Sequence, residues 1–175
     1  MGRLKQLLPY GNHTLIHHAV EQALQAGFSP LIVVVGAEAS QVRAALAGLP
    51  VTVTENPNWQ SGMGSSVVCG MAALPDQAAA VAILAADQPM VTASHLASLQ
   101  DQLSEGDVAI AAEYGGSIGV PAIFDRAAFP RLLSLPPEAG AKKLLLSLSP
   151  PPRRFPLPEA EADIDTPDEY AKLTS

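Results

Sequence analysis

Two acidic positions fall where strand-like segments give way to loops, and both have the chemistry to hold a divalent cation. Asp87 stands in Ala85-Ala86-Asp87-Gln88-Pro89, directly after the continuous apolar run 80–85. Asp163 and Asp165 stand in Asp163-Ile164-Asp165-Thr166-Pro167-Asp168. Acids two apart on an extended chain point the same way, so both can face one cleft. Magnesium in nucleotide sites is usually bound through one or two carboxylates, with substrate phosphates and water completing the octahedron. Each position also has a plain structural reading. Asp87 can be a helix-capping or turn residue ahead of Pro89. Thr166 can be a helix cap with Pro167 at the first helical position and Glu169 at the third.

A third segment, Asn56-Pro57-Asn58-Trp59-Gln60-Ser61-Gly62-Met63-Gly64-Ser65-Ser66, is long for a plain connection. Gly62 and Gly64 permit close backbone approach, and Ser65-Ser66 is expected to open a helix whose amides attract anions. An ordinary loop with a serine cap is the competing reading. Arg3 and Lys5, ahead of Leu7-Leu8-Pro9, are two cations that by themselves indicate only a solvated end. His13, His17, His18 and His95 fall on expected helices and read as surface or capping residues.

The elements that must position these residues alternate along the chain. Leu31 to Val35 is β-branched, closes at Gly36 and reads as a strand buried on both faces. Residues 15–26 carry apolar side chains at helical spacing and stop at Gly27. Helix 40–46, strand 51–53, helix 65–74, strand 80–85, helix 94–103 and strands 107–112 and 120–124 follow. Helices near 126–134 and 140–147, a last strand and a short helix after Thr166 complete the pattern. Such alternation predicts a three-layer α/β domain with a Rossmann-like, mostly parallel sheet and helices on both faces. Ligands in such folds sit at the carboxyl ends of strands. That rule selects the loops after Val53 and after Ala85, and the segment near Asp165.

At 175 residues the chain fits one domain, 1–175. Its 48% apolar content contains no run long enough to span a bilayer. A single cysteine, Cys69, excludes an internal disulfide and a cysteine metal cluster, and makes the cytoplasm the expected location. The net charge of −7 argues against a broad nucleic-acid surface but not against a nucleotide, which a few cations and a metal can hold.

Five stretches, in order, resemble the molybdenum cofactor cytidylyltransferases. Met1-Gly2-Arg3-Leu4-Lys5-Gln6-Leu7-Leu8-Pro9 is similar to the second half of the nucleotidyltransferase signature R-M-G-x-x-K-x-L-L-P. Asn56-Pro57 through Gly62-Met63-Gly64-Ser65-Ser66 resembles the molybdopterin branch, as does Asp87-Gln88-Pro89. Gly119-Val120-Pro121-Ala122-Ile123-Phe124 and Asp163-Ile164-Asp165-Thr166-Pro167 also match. The resemblance implies a nucleotide-diphospho-sugar transferase-like fold. Its glycine-rich loop L-A-A-G-x-S-x-R and the central strand before it would precede Met1, so the first strand is expected to be missing. It further implies that Lys5, with Arg3, contacts nucleotide phosphates and that Asp87 and Asp165 hold Mg2+. Gly62 to Ser66, Gln88, Pro89, Gly119 and Pro121 would help form the base or pterin pocket. Pro137-Glu138-Ala139-Gly140-Ala141-Lys142 stands where the family has G-D-x-G-A-R; lysine keeps the charge there without arginine's bidentate fork.

The activity so implied transfers CMP from CTP to molybdopterin and releases pyrophosphate, with a molybdoenzyme or its chaperone as a further partner. The attacking phosphate oxygen is already ionised, so positioning and charge neutralisation carry the chemistry. Two alternatives stand beside it. One is a GTP-dependent molybdopterin guanylyltransferase or a sugar-phosphate nucleotidyltransferase; the other is a non-catalytic remnant that binds a cofactor or partner.

Overall fold

The computed structural model describes residues 4–162, 164 and 170. A short hairpin, β1 (Pro9–Tyr10) and β2 (His13–Thr14), leads into helix α1 (Leu15–Gln25). Then come β3 (Leu31–Val35), α2 (Ala39–Ala45), β4 (Val51–Glu55), α3 (Met63–Ala72), β5 (Ala80–Ile83) and α4 (Ala93–Asp101). The remainder is β6 (Ala109–Tyr114), β7 (Ser117–Asp125), α5 (Phe129–Leu133), α6 (Ala141–Ser147) and β8 (Arg153–Pro156). The expected α/β alternation is therefore present. Among the described residues, no helix is long and apolar enough to cross a membrane.

β3 and β4 pair in parallel from Leu31↔Val51 to Val35↔Glu55. A second sheet runs β5-β7-β6-β8, with β6 and β8 parallel and β7 antiparallel to both neighbours. The mostly parallel sheet expected from the alternation thus gives way at β7. Tyr114-Gly115-Gly116-Ser117 is the reason. Both glycines have positive φ, 55° and 71°, the geometry of a two-residue hairpin, and such a turn can join only antiparallel strands.

β3 was expected to be buried on both faces, yet only Val35 is fully buried and the other four residues are half-exposed. Among the described residues β4 is its one hydrogen-bonded neighbour. Among the described residues β5 likewise pairs only with β7. Helix α3 begins at Met63, two residues earlier than Ser65, because Gly62 supplies the break with φ 126°. His13 lies on β2 rather than on a helix.

The main core lies between β5–β7–β6 and helices α3, α5 and α6, with Phe124, Leu132 and Leu145 at its centre and fully buried. Truncating one such side chain to alanine costs about 3–5 kcal/mol. A second cluster packs α4 on the sheet's other face through Leu96, Leu99, Ile110 and Phe155. A third, around Ile16, Val20, Val35 and Val42, includes Leu4, Leu7 and Ala86 at its margin. That third cluster places the start of the described chain and the end of β5 side by side.

Candidate active site

Lys5 is the first residue of a 3-10 turn, Lys5–Leu7, anchored by Leu4 and Leu7 in the third core cluster. From the other side, Ala86 packs into the same cluster and carries Asp87 out of β5. The result is an ion pair: Lys5 Nζ donates to Asp87 Oδ2 at 3.4 Å. The two side chains are about one-third exposed, 34% and 31%, so both are open to a ligand. The distance is long for a charge-assisted bond, and an anion or a cation can enter between or beside them.

The backbone of Asp87 is fixed separately. Its carbonyl accepts from the amide of Ile164 at 3.1 Å. Ile164 is completely buried, in a cluster with Leu8 and Leu15 and against Tyr10 and Tyr170. The Tyr170 hydroxyl donates to the carbonyl of Pro9 at 2.6 Å. The two ends of the described chain therefore converge on the loop after β5. Arg3, Asp163, Asp165 and Thr166 lie outside the described residues.

Gln88 and Pro89 sit behind this pair, both buried. Gln88 Nε2 donates to the carbonyls of Ala160 (2.8 Å) and Val120 (3.1 Å), with the Tyr114 hydroxyl at 3.5 Å. One side chain thus ties the loop after β5 to β7, where Gly119 and Pro121 flank Val120. A Cβ at Gly119 would lie 2.4 Å from the Tyr114 hydroxyl, so a side chain there would push the tyrosine aside. The Pro89 carbonyl accepts from His18 Nε2 at 3.1 Å, which docks α1 against the same loop.

The loop after β4 is built around Asn56, buried although polar. Its Nδ2 donates to Ser65 Oγ (2.8 Å) and Ser66 Oγ (3.0 Å), and its Oδ1 accepts from the Asn58 amide. Both serines of the sequence motif thereby fasten the start of α3 to the end of β4. Gly62 and Gly64 make close contact with protein backbone. A Cβ on Gly64 would fall 2.1 Å from the Pro136 carbonyl, and one on Gly62 would fall 2.4 Å from that of Pro137. The Gly64 amide donates to the Pro137 carbonyl at 2.8 Å. The glycine segment and the Glu138–Lys142 segment, separate in sequence, form one unit. Met63 is largely exposed and lies against Gly140.

The hydrogen-bonding roles of Asn56 and Gln88 are what the sequence reading does not give. Asn-Pro at a strand end was the available signal for the first. A surface hollow lined by Ser104, Glu105, Asp107 and Asp125 lies at the other ends of β5 and β6, away from Asp87.

The arrangement has two parts that phosphate-bearing ligands use, an ammonium and a carboxylate, both partly exposed after the end of a strand. Rv0371c from Mycobacterium tuberculosis H37Rv superposes with a TM-score of 0.82 at 32% identity, over 100% of this chain and 92% of that one. Its structure in complex with manganese superposes at 0.80, with 33% identity over 98% and 92%. Nicotine blue oxidoreductase of Paenarthrobacter nicotinovorans is 42% identical over 69 residues, which is 39% of this chain and 34% of that protein. Bifunctional protein GlmU of Rhodococcus opacus (strain B4) is 33% identical over 105 residues, 56% of this chain and 21% of that protein. The chain thus spans about a third or less of these two curated relatives. The model of the MobA-like NTP transferase domain matches residues 1–151, and the chain belongs to that family.

Proposed function

We propose that the chain is a metal-dependent nucleotidyltransferase, and that its reaction transfers CMP from CTP to molybdopterin with release of pyrophosphate. The observation that carries this reading is the half-open Lys5–Asp87 pair, held between the converging ends of the described chain. Family membership and the manganese complex of Rv0371c support the nucleotide and the metal.

The donor set suits a hard divalent cation. Asp87 offers a partly exposed carboxylate at the end of a strand, and Asp165 follows directly on Ile164, whose amide bonds Asp87. When bound, the cation supplies charge neutralisation to the triphosphate. Lys5 adds a fixed positive charge on the phosphates. An acceptor phosphate oxygen attacks the α-phosphorus, the bond from that phosphorus to the α–β bridging oxygen breaks, and pyrophosphate leaves. No proton need be removed from the nucleophile. Gln88 and Ile164 hold the loop that carries Asp87, so the carboxylate is positioned before the nucleotide arrives.

Pyrophosphate release, measured with Mg2+ and either CTP or GTP and with molybdopterin or a sugar 1-phosphate as acceptor, tests this. CTP with molybdopterin is expected to turn over fastest. Faster turnover with GTP or a sugar phosphate removes the cytidylyl assignment. Tight binding of Mg-CTP with no pyrophosphate from any pair favours a binding remnant. A second reading, redox chemistry in the same cleft, has one observation behind it: the likeness to nicotine blue oxidoreductase. Its signature is conversion of a redox dye without pyrophosphate.

A further inference from the structure

Besides the Lys5–Asp87 pair, His13, His17 and Glu21 bring two imidazoles and a carboxylate together. Their ligand atoms all lie within 4.8 Å of one another. The four-residue spacing produces this, since His17 and Glu21 share one face of α1 and His13 precedes its first turn. Thr14 caps the helix by accepting from the His17 amide. That cap turns β2 back so the two imidazoles stack, centroids 3.9 Å apart and planes 2° from parallel. The hairpin holds its place through the Tyr10↔His13 pairing and the Tyr10 ring against His18.

The hydrogen bonds of His17 fix its tautomer. Nδ1 lies 3.1 Å from the carbonyl of Ala45, and a carbonyl can only accept, so Nδ1 carries the hydrogen. In the neutral ring Nε2 then holds a lone pair. That atom faces Glu21 Oε1 at 3.4 Å, which is also an acceptor. Two acceptors so placed repel weakly, and a metal cation between them would turn that contact into two bonds. An Nδ1–H bonded to a backbone carbonyl, with Nε2 turned to the ion, is how metal-ligating histidines are commonly held. Donors on a tetrahedral zinc are about 3.3 Å apart, from bond lengths near 2.0–2.1 Å. The His17–Glu21 pair has that separation already. His13 is exposed, and a nitrogen of its ring already lies within 4.8 Å of the other two donors.

We propose that His13, His17 and Glu21 form a site for a divalent transition metal of the zinc class, with the fourth position open to water. Imidazole donors select such ions over magnesium, which takes oxygen. The site is therefore distinct in chemistry from the carboxylates proposed to bind the nucleotide's cation, and it does not depend on that proposal.

The test is a calorimetric titration of the chelator-treated full chain with Zn2+ alone, alongside a Co2+ titration followed by visible absorption. The expected result is one tight zinc and the strong visible bands of four-coordinate cobalt. Glu21→Gln, nearly isosteric and on the helix surface, is expected to weaken zinc at least about tenfold, and His17→Ala more than that. Asp87→Asn is expected to leave zinc affinity unchanged. Wild-type affinity no higher than that of a His13→Ala/Glu21→Gln double variant with native circular dichroism overturns the proposal. So does a loss of zinc caused by Asp87→Asn, or cobalt bound without those bands.

Discussion

The amide of Ile164 bonds the carbonyl of Asp87 at 3.1 Å, which brings a segment near the end of the chain onto the loop after β5. On one side of that bond the Asp87 carboxylate meets Lys5 Nζ. On the other, Ile164 is completely buried beside Leu8 and Leu15. A partly exposed acid is thus carried on a loop whose backbone is fixed by the core.

Lys5→Met tests the cation's role. The methionine keeps the aliphatic stem and removes the charge, so the Leu4–Leu7 anchoring survives while one positive charge on the phosphates is lost. Turnover is expected to fall about 10²-fold or more, in the range seen when a single electrostatic group is removed from a reaction site. Thermal stability is expected to change little, because the ion pair is partly exposed. Steady-state pyrophosphate release and a melting curve read the two effects separately.

Gln88→Glu replaces a donor by an acceptor among acceptors. The Ala160 and Val120 carbonyls would then face a carboxylate in a buried site. A cost of about 2–3 kcal/mol is expected, and Gln88→Ala should cost less than Gln88→Glu because it adds no repulsion. Urea denaturation of the two variants ranks them. The reverse order contradicts the network.

At Gly64 an added methyl meets backbone, not a side chain that can swing away. Gly64→Ala is expected to lose about 1–3 kcal/mol and to loosen the 136–139 turn. Hydrogen exchange at the Gly64 amide, now bonded to Pro137, should speed up along with the drop in melting temperature.

Arg153 donates to both carboxylate oxygens of Asp107, the Ser104 amide to one, and together they hold that acid below its ordinary 3.8. A lowered folded-state value means the pair adds stability above 3.8 and loses it as pH falls through the depressed value. Wild-type protein is therefore expected to exceed Asp107→Asn modestly at pH 7, with the gap closing below about pH 3.8. Melting curves across that range check the sign.

Much of the fold was legible from periodicity. Leu31–Val35 is a strand over the residues its β-branched run marks, and the 15–26 helix ends within a residue of its expected stop. The antiparallel β7 was missed because Tyr114 to Ser117 was left between two short strands. Gly115-Gly116 is a hairpin signal when both flanking runs are extended by two or three residues. The half-exposure of β3 was not legible, since apolar content marks what a strand can bury and not how many neighbours it has. Asp87 is singled out by its place after a strand, and the structure sets its carboxylate against Lys5. What the glycines near Met63 touch was not readable, because contact with residues 136–139 is long-range. The His13–Glu21 grouping is not legible when all four histidines read as surface or capping residues on helices, because His13 lies on β2 and stacks over His17.

The most direct test is manganese binding, followed by electron paramagnetic resonance in the presence of CTP, for the wild type, Asp87→Asn and Asp165→Asn. The account predicts one CTP-dependent Mn2+ in the wild type and its loss in either variant. Retention of that ion in Asp165→Asn, with Asp87 intact, would contradict the shared carboxylate site.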